Sequence, residues 1–358
     1  MILDNLLFFL FLLLTLAPVS SAQIQPSATH SVKEQILNHP ASIYKDPNFA
    51  LTVTVDEASQ IIYWGGFVGL IRYDMKHHKY KIFNHNHGLP SNTINALYLD
   101  KINELLFIGT NCGLCQFDLA TAEIKKIPLS DDQTANIITA FACDNHNRLY
   151  IGTNHGLFRF QNGHIEPQFD THEFGVRRVQ GLFFSALTGL WVAKENVLSR
   201  YHQGSWQIFL KEAINENQIV GLISNNLTAV CGDIKGGVWI GTTLGLNYYY
   251  HGHWKTYLQR DNYFHQGAHV PSDYIYTLTV DEKNRLWIGY GVLGLGACCF
   301  QEGQWRVFPS GDDLSSGYVY YIHPGRKGTV WFATAAGINS LSDEGWAVFR
   351  IPGISPDF

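Results

Sequence analysis

Charge is scarce in this chain. Only 15% of its 358 residues are charged, and 25 Lys+Arg against 30 Asp+Glu leave a formal net charge of −5. So mild a balance excludes the electrostatic footprint that nucleic acid or an anionic membrane surface demands. Long apolar runs are scarce too. The one unbroken run, residues 6–14, is too short to cross a bilayer comfortably, and no later segment approaches a span. With small residues Ser20 and Ala22 ahead of Gln23, it reads as a secretory signal over residues 1–22, although Asp4 stands where a positive charge is usual. An uncleaved N-terminal anchor is the alternative. The protein is expected to be exported, periplasmic or secreted, and soluble beyond its leader. Residues 23–48, with Pro26, Pro40 and Pro47, read as a lead-in segment to a folded body over 49–358.

Cysteine is present but poorly placed for bridging. Cys112 and Cys115 flank one Gly-Leu turn, Cys143 and Cys231 fall in non-neighbouring repeats, and Cys298 and Cys299 are adjacent. Neighbours on a strand point to opposite faces. The CGLC stretch also lacks the helix N-terminus that would lower a thiol pKa, so these cysteines read as small buried hydrophobes. Histidine clusters occur as HNH (85–87), HGH (251–253) and HQGAH (265–269). None is accompanied by a Cys or carboxylate arrangement that fixes a tetrahedral site. They read as surface histidines, and neither a metal nor a cofactor is expected.

What the sequence has in abundance is turns and aromatics, with 33 Gly and 14% Phe, Trp and Tyr. It also repeats itself. ELLFIGTNCGLCQFD, NRLYIGTNHGLFRF, GGVWIGTTLGLNYYY and NRLWIGYGVLGLGACCF are variants of one hairpin. Taking the residue before each Ile-Gly-like pair as anchor gives Tyr63, Phe107, Tyr150, Trp191, Trp239, Trp287 and Trp331, spaced 41 to 48 residues apart. Seven copies of that period, each with four strand-like pieces, predict a seven-bladed, all-β propeller with four-stranded antiparallel blades. A left-handed residue is expected where the second turn ends, at Gly69, Gly113, Gly156, Asn196, Gly245, Gly294 and Gly337. Asp56, Asp100, Asp144, Asp233 and Asp281 follow the first strands and should cap turns with their own side chains. No strand from one terminus is expected to complete a blade at the other.

Aligned first strands show three columns. The third position reads Thr52, Ala96, Ala140, Gly181, Ala229, Thr277 and Tyr321, nearly all small, and the fourth is always bulky and apolar, from Val53 to Ile322. Small against large suits inner strands that crowd an axis between neighbouring blades. The second position reads Leu51, Asn95, Thr139, Gln180, Thr228, Tyr276 and Tyr320, six of them hydrogen-bonding residues at the expected channel mouth.

The running pattern resembles the two-component regulator propeller repeat. GLPSNTINALYLD (88–100) and GLISNNLTAVCGDIKGGVWIGTTLGLNYYY (221–250) match it closely, PSDYIYTLTVDEKNRLWIGY (271–290) well, and QGLFFSALTGLWVAKENVLSRY (180–201) in degenerate form. There is no Trp-Asp dipeptide, no regular double glycine and no quinoprotein docking tryptophan, which points away from other propeller families. The resemblance implies a periplasmic ligand-sensing propeller of a hybrid sensor kinase, often specific for carbohydrate fragments. Beyond Arg350 only eight residues follow. A sensor role is therefore expected to need a separate membrane sensor kinase or other protein partner, unless the chain is a fragment of a longer sensor.

The expected site is the channel mouth. It takes Asn95, Thr139, Gln180, Thr228, Tyr276 and Tyr320 from the second column, and Asn111, Asn154, His155, Lys194, Glu195, Thr243 and Tyr290 from the turns between second and third strands. Amides and hydroxyls that donate and accept, with aromatic faces that stack on sugar rings, suit an uncharged polyhydroxylated ligand, a small carbohydrate. Solvated lining without a ligand is the alternative. Two other readings stand beside a non-catalytic sensor. One is a lyase or hydrolase using His155 and Glu195 as base and acid, with Arg177 and Arg178 on the same face. The other is a protein-interaction scaffold.

Overall fold

The computed structural model describes residues 45–131, 135–168, 177–211, 221–259, 270–291, 294–311 and 313–352. The signal segment, the lead-in as far as residue 44 and the HQGAH histidines lie outside them. Each repeat forms one four-stranded antiparallel sheet of consecutive strands, and there are seven. The blades occupy residues 52–83, 94–127, 138–168, 179–209, 227–257, 277–308 and 319–349. The fold is a seven-bladed β-propeller. As read from the sequence, every blade keeps its own fourth strand.

Why Ile-Gly-Thr recurs is visible at the seams. A Cβ on Gly65 would lie 2.3 Å from Ile94 Cβ, and one on Gly289 would lie 2.8 Å from Val319 Cγ1. The glycine of each second strand makes room for the β-branched residue that opens the next blade. Where Ala193 and Ala333 replace it, the entering residues are Leu227 and Ala50, which branch less closely to the backbone. The threonine then closes the hairpin. Thr110, Thr153, Thr242 and Thr334 each donate Oγ1–H to the carbonyl of the glycine three residues on, at 2.8–3.0 Å. Each hydroxyl also accepts the backbone N–H two residues on. One buried side chain thus satisfies two turn groups that would otherwise be stranded.

The aspartates cap turns as expected. Asp144 accepts from the N–H groups of His146 and Arg148, and Asp281 from those of Lys283 and Arg285. Burial opposes ionisation of Asp144, but the two N–H donors and the Arg148 guanidinium outweigh it and hold its pKa below the usual carboxylate value. Ring closure is non-covalent. The Ala50 N–H donates to Thr334 O at 3.0 Å, the equivalent of Ile275 to Thr242 between blades 5 and 6. Asn48 adds a reciprocal pair with the Ile351 backbone, 2.7 and 3.4 Å, both buried. Glu57 accepts from Arg326 N–H at 2.9 Å.

Two expected turn positions shift. Gly69, Gly113, Gly156, Gly245 and Gly337 have φ between 106° and 138°. In blade 6 the corresponding residue is Gly296 rather than Gly294, because Tyr290 N–H bonds to Gly296 O; both glycines have positive φ. In blade 4 Asn196 is left-handed at φ 65°, yet strand pairing matches Lys194 with Val197, so Asn196 stands one residue ahead of the glycine position. All six cysteines are free. Burial pushes the Cys115 and Cys298 thiols up to about 12, so both stay protonated and unreactive.

Candidate ligand-binding rim

The second column is a column of β-bulges. In blades 2, 3, 4, 5 and 7, pairing of the inner strand with its neighbour skips one residue: Asn95, Thr139, Gln180, Thr228 and Tyr320. In blades 1 and 6 the same doubling occurs. Leu51 N–H donates to Gly65 O and Tyr276 N–H to Gly289 O, while Gly65 and Gly289 pair with Thr52 and Thr277. A bulge bends its strand and re-aims a side chain. In blade 2 it turns the side chain toward the seam with the following blade. Asn95 Nδ2 donates to Ile138 O of blade 3 at 2.9 Å, and to Asn111 Oδ1 of its own turn at 2.7 Å.

The turns join the bulges on one face. Backbone N–H groups of Asn111, Asn154, Glu195, Thr243 and Ala335 donate to Thr93, Ile137, Arg178, Asn226 and Tyr318, each two residues before a bulge. Strand order therefore brings most predicted residues into one annular rim. Most of them are half-buried and Tyr320 is buried, rather than open to water as the sequence reading had it. Thr139 Oγ1, Thr228 Oγ1 and Asn154 Oδ1 are buried without a protein hydrogen-bond partner. His155 and Glu195 are exposed.

Two predicted members are turned away. Lys194 is 5% exposed and holds its ammonium 5.6 Å above the Trp206 ring, because its strand position faces the packed side of the blade. Tyr290 is 1% exposed, with its hydroxyl 3.5 Å from Cys298 Sγ inside the blade 5–6 core. It occupies the position that Thr fills elsewhere, and that position points inward.

Sequence reasoning named Arg178 on this face but missed the ring to which it belongs, the residues two before each bulge: Phe49, Thr93, Ile137, Arg178, Asn226, Tyr274 and Tyr318. With it, the rim divides. Blades 6, 7 and 1 carry an aromatic arc in which Phe67, Phe49, Tyr320 and Tyr276 touch in series, centroids 5.2, 5.1 and 5.8 Å apart. Blades 2 to 5 carry amides and hydroxyls. The doubled Tyr-x-Tyr at 274–276 and 318–320 was the available signal. It was obscured because only one tyrosine of each pair falls in the aligned column.

At the third position of the inner strands Tyr321 of blade 7 is the one bulky side chain. Tyr321 is 37% exposed, yet protein surrounds it closely enough for burial to raise its pKa. At the same register the other six blades present only Thr52, Ala96, Ala140, Gly181, Ala229 and Thr277. Arg178 belongs to the polar side of the rim, where its carbonyl accepts Glu195 N–H. It is half-buried, burial lowers its pKa, and its charge is felt at Tyr276 of blade 6 as well as at Glu195. Among the described residues no group of three or more His, Cys, Asp or Glu could hold a metal ion, and no helix is long and apolar enough to cross a membrane.

No family model and no curated protein matches the chain. Solved structures do. An ancestral GH74 enzyme is similar at 13% identity and TM-score 0.63, over 85% of this chain and 46% of that one. Virginiamycin B lyase from Staphylococcus aureus is similar at 10% identity and TM-score 0.62, over 81% of this chain and 92% of that one. The extracellular domain of a putative one-component system of B. thetaiotaomicron is similar at 19% identity and TM-score 0.43, over 82% of this chain. The chain spans 46% of that domain, about half its length. Extracellular domains of putative hybrid two-component systems from that organism are thus among the similar structures, alongside lyase and hydrolase propellers. At these identities the likeness is one of fold.

Proposed function

We propose that this protein is an exported, non-catalytic propeller that binds a small carbohydrate at the divided rim and works with a membrane sensor kinase or other protein partner. The observation that carries the reading is the division itself. A pyranose has two apolar C–H faces and an edge of hydroxyls, so it needs a stacking surface on one side and paired donors and acceptors on the other. The aromatic arc of Phe67, Phe49, Tyr320 and Tyr276 faces an arc of Asn95, Thr139, Gln180 and Thr228 across one mouth. Export is supported by the short apolar run at residues 6–14 and the small residues before Gln23. The sensor role is supported by the repeat pattern in residues 88–100 and 221–250.

The test is a thermal-shift screen of the full chain against neutral and acidic oligosaccharides, followed by calorimetric titration of each hit and analysis of the recovered sugar. The expected result is stoichiometric binding with the sugar recovered intact. Recovery of cleaved or unsaturated product would replace this reading with the lyase or hydrolase one. Absence of any sugar binding would replace it with the scaffold.

A further inference from the structure

We infer that the protein self-associates through the outer strand of blade 7, Gly345–Phe349. The strand pairs antiparallel with the same strand of a second copy, about a two-fold axis at Ala347. The outer strand of every blade is a sheet edge, bonded on one side only. Such an edge invites a further strand, and a charge or a proline on it blocks the pairing. Strand register aligns the central residues of the seven edges. They are Lys81, Lys125, Glu166, Lys255 and Arg306 in blades 1, 2, 3, 5 and 6, Gln207 in blade 4 and Ala347 in blade 7. A two-fold axis at this position sets each residue directly against its own copy. Like charges directly opposite destabilise a strand pair, so the five charged edges are closed to such pairing. Blades 4 and 7 are open to it.

Backbone geometry and charge both favour blade 7. Its last turn closes with Ser342 paired to Gly345, so alternation directs the N–H and C=O groups of Gly345, Ala347 and Phe349 to the third strand. Those of Trp346 and Val348 face the open edge. With Ala347 on the axis, each Trp346 meets Val348 of the second copy, and each such pair exchanges both of its backbone bonds. The axis itself falls on a pair that exchanges none, where antiparallel strands come closest. Alanine is small enough for that approach. Ala347 and Val348 are both exposed, Val348 by 48%, so the edge offers apolar surface to a copy of itself. Charge then selects the register. Glu344 and Arg350 are exposed and stand equally far on either side of Ala347, so each Glu344 lies opposite Arg350 of the second copy. The Arg350 Nε–H donates to Ala336 O of its own blade at 2.7 Å, which holds the guanidinium at the end of the strand. At the same register blade 4 sets Gln203 against Lys211, with no charges to match.

The experiment is analytical sedimentation of the full chain over a range of concentrations, with hydrogen exchange read at the Trp346 and Val348 amides. A contact this small should give a reversible, concentration-dependent dimer that weakens with added salt. Ala347→Lys gives blade 7 the residue that blades 1, 2 and 5 already carry at this position, so the variant should fold and stay monomeric. Glu344→Arg should weaken the dimer about 10-fold, because it turns the attracting pair at each end into a repelling one. Adding Arg350→Glu to that variant should restore the parent affinity by exchanging the charges. Gln207→Lys, on the edge of blade 4, should change nothing. A chain that is monomeric at every concentration overturns the inference, as does a dimer indifferent to Ala347→Lys and Glu344→Arg. A monomer whose Trp346 and Val348 amides are already protected overturns it too, since another part of the chain then covers the edge.

Discussion

The two arcs of the rim share one backbone and differ in everything hung on it. Each blade supplies a bulge, a residue two before it and a turn beside it, and in five of the seven blades the same backbone hydrogen bond ties turn to ring. In blades 6, 7 and 1 the side chains there pack on each other, and Phe49 and Tyr320 are 5% and 9% exposed. In blades 2 to 5 they find backbone carbonyls, neighbouring amides or no protein partner at all. The propeller scaffold thus sets positions, and local side chains decide whether a position becomes packed wall or hydrogen-bonding surface. A symmetrical ring acquires an orientation in this way.

The widest gap between the arcs should appear in stability at one register position. Phe49→Ala empties a buried aromatic site and should cost about 3–5 kcal/mol. Asn226→Ala, its exposed counterpart in blade 5, should stay within about 0.5 kcal/mol. Urea unfolding of both variants measures the difference, and equal losses would show that the aromatic arc is not part of the core.

A smaller effect separates two threonines within blade 5. Thr242→Val strands the Gly245 carbonyl and the Leu244 N–H and should cost about 1–3 kcal/mol. Thr228→Val removes a buried hydroxyl that has no partner, and should be neutral or stabilising by up to about 1 kcal/mol. Denaturation midpoints of the pair read the contrast directly. A loss at Thr228 as large as at Thr242 would mean that its hydroxyl is satisfied.

Acid should soften the aromatic side first. Burial holds His323, on the inner strand of blade 7, down to about 4, whereas an unfolded histidine titrates near 6.5. Between those values the unfolded chain binds the additional proton, so stability falls as pH drops from about 6.5 to 4. The depressed carboxylates Asp56 and Asp144 act in the same direction at lower pH, as it falls through and below their unfolded value of about 3.9. His323→Gln should flatten the upper window and leave the lower one. An unchanged slope above pH 4 would assign that sensitivity elsewhere.

The finest comparison is in binding. Tyr276→Phe keeps the stacking face, and Gln180→Ala removes an amide from the opposite arc. Both should barely alter melting. Gln180→Ala should weaken a sugar ligand about fivefold, the worth of one neutral hydrogen bond of about 1 kcal/mol, and Tyr276→Phe by no more than that. Titrations in which neither variant shifts affinity would move the ligand off this rim.

Period and pattern were enough to read the blade count, the four strands per blade, the capping aspartates and the column that became the bulges. Those features repeat, and repetition makes a structural constraint visible in one sequence. Features confined to one or two blades were not legible in that way. Phe49 precedes the first strand and Arg178 sits in the most degenerate repeat, so neither belongs to a column that alignment would single out. Lys194 and Tyr290 were placed correctly along the chain, but in the wrong direction. A turn position fixes where a side chain begins, while its neighbours across the seam decide where it can go. Local periodicity determined that this chain makes a ring of seven blades, because each repeat can bury its faces only against another. Tertiary structure alone decided that the ring has an aromatic half and a polar half, because those are contacts among residues of different blades.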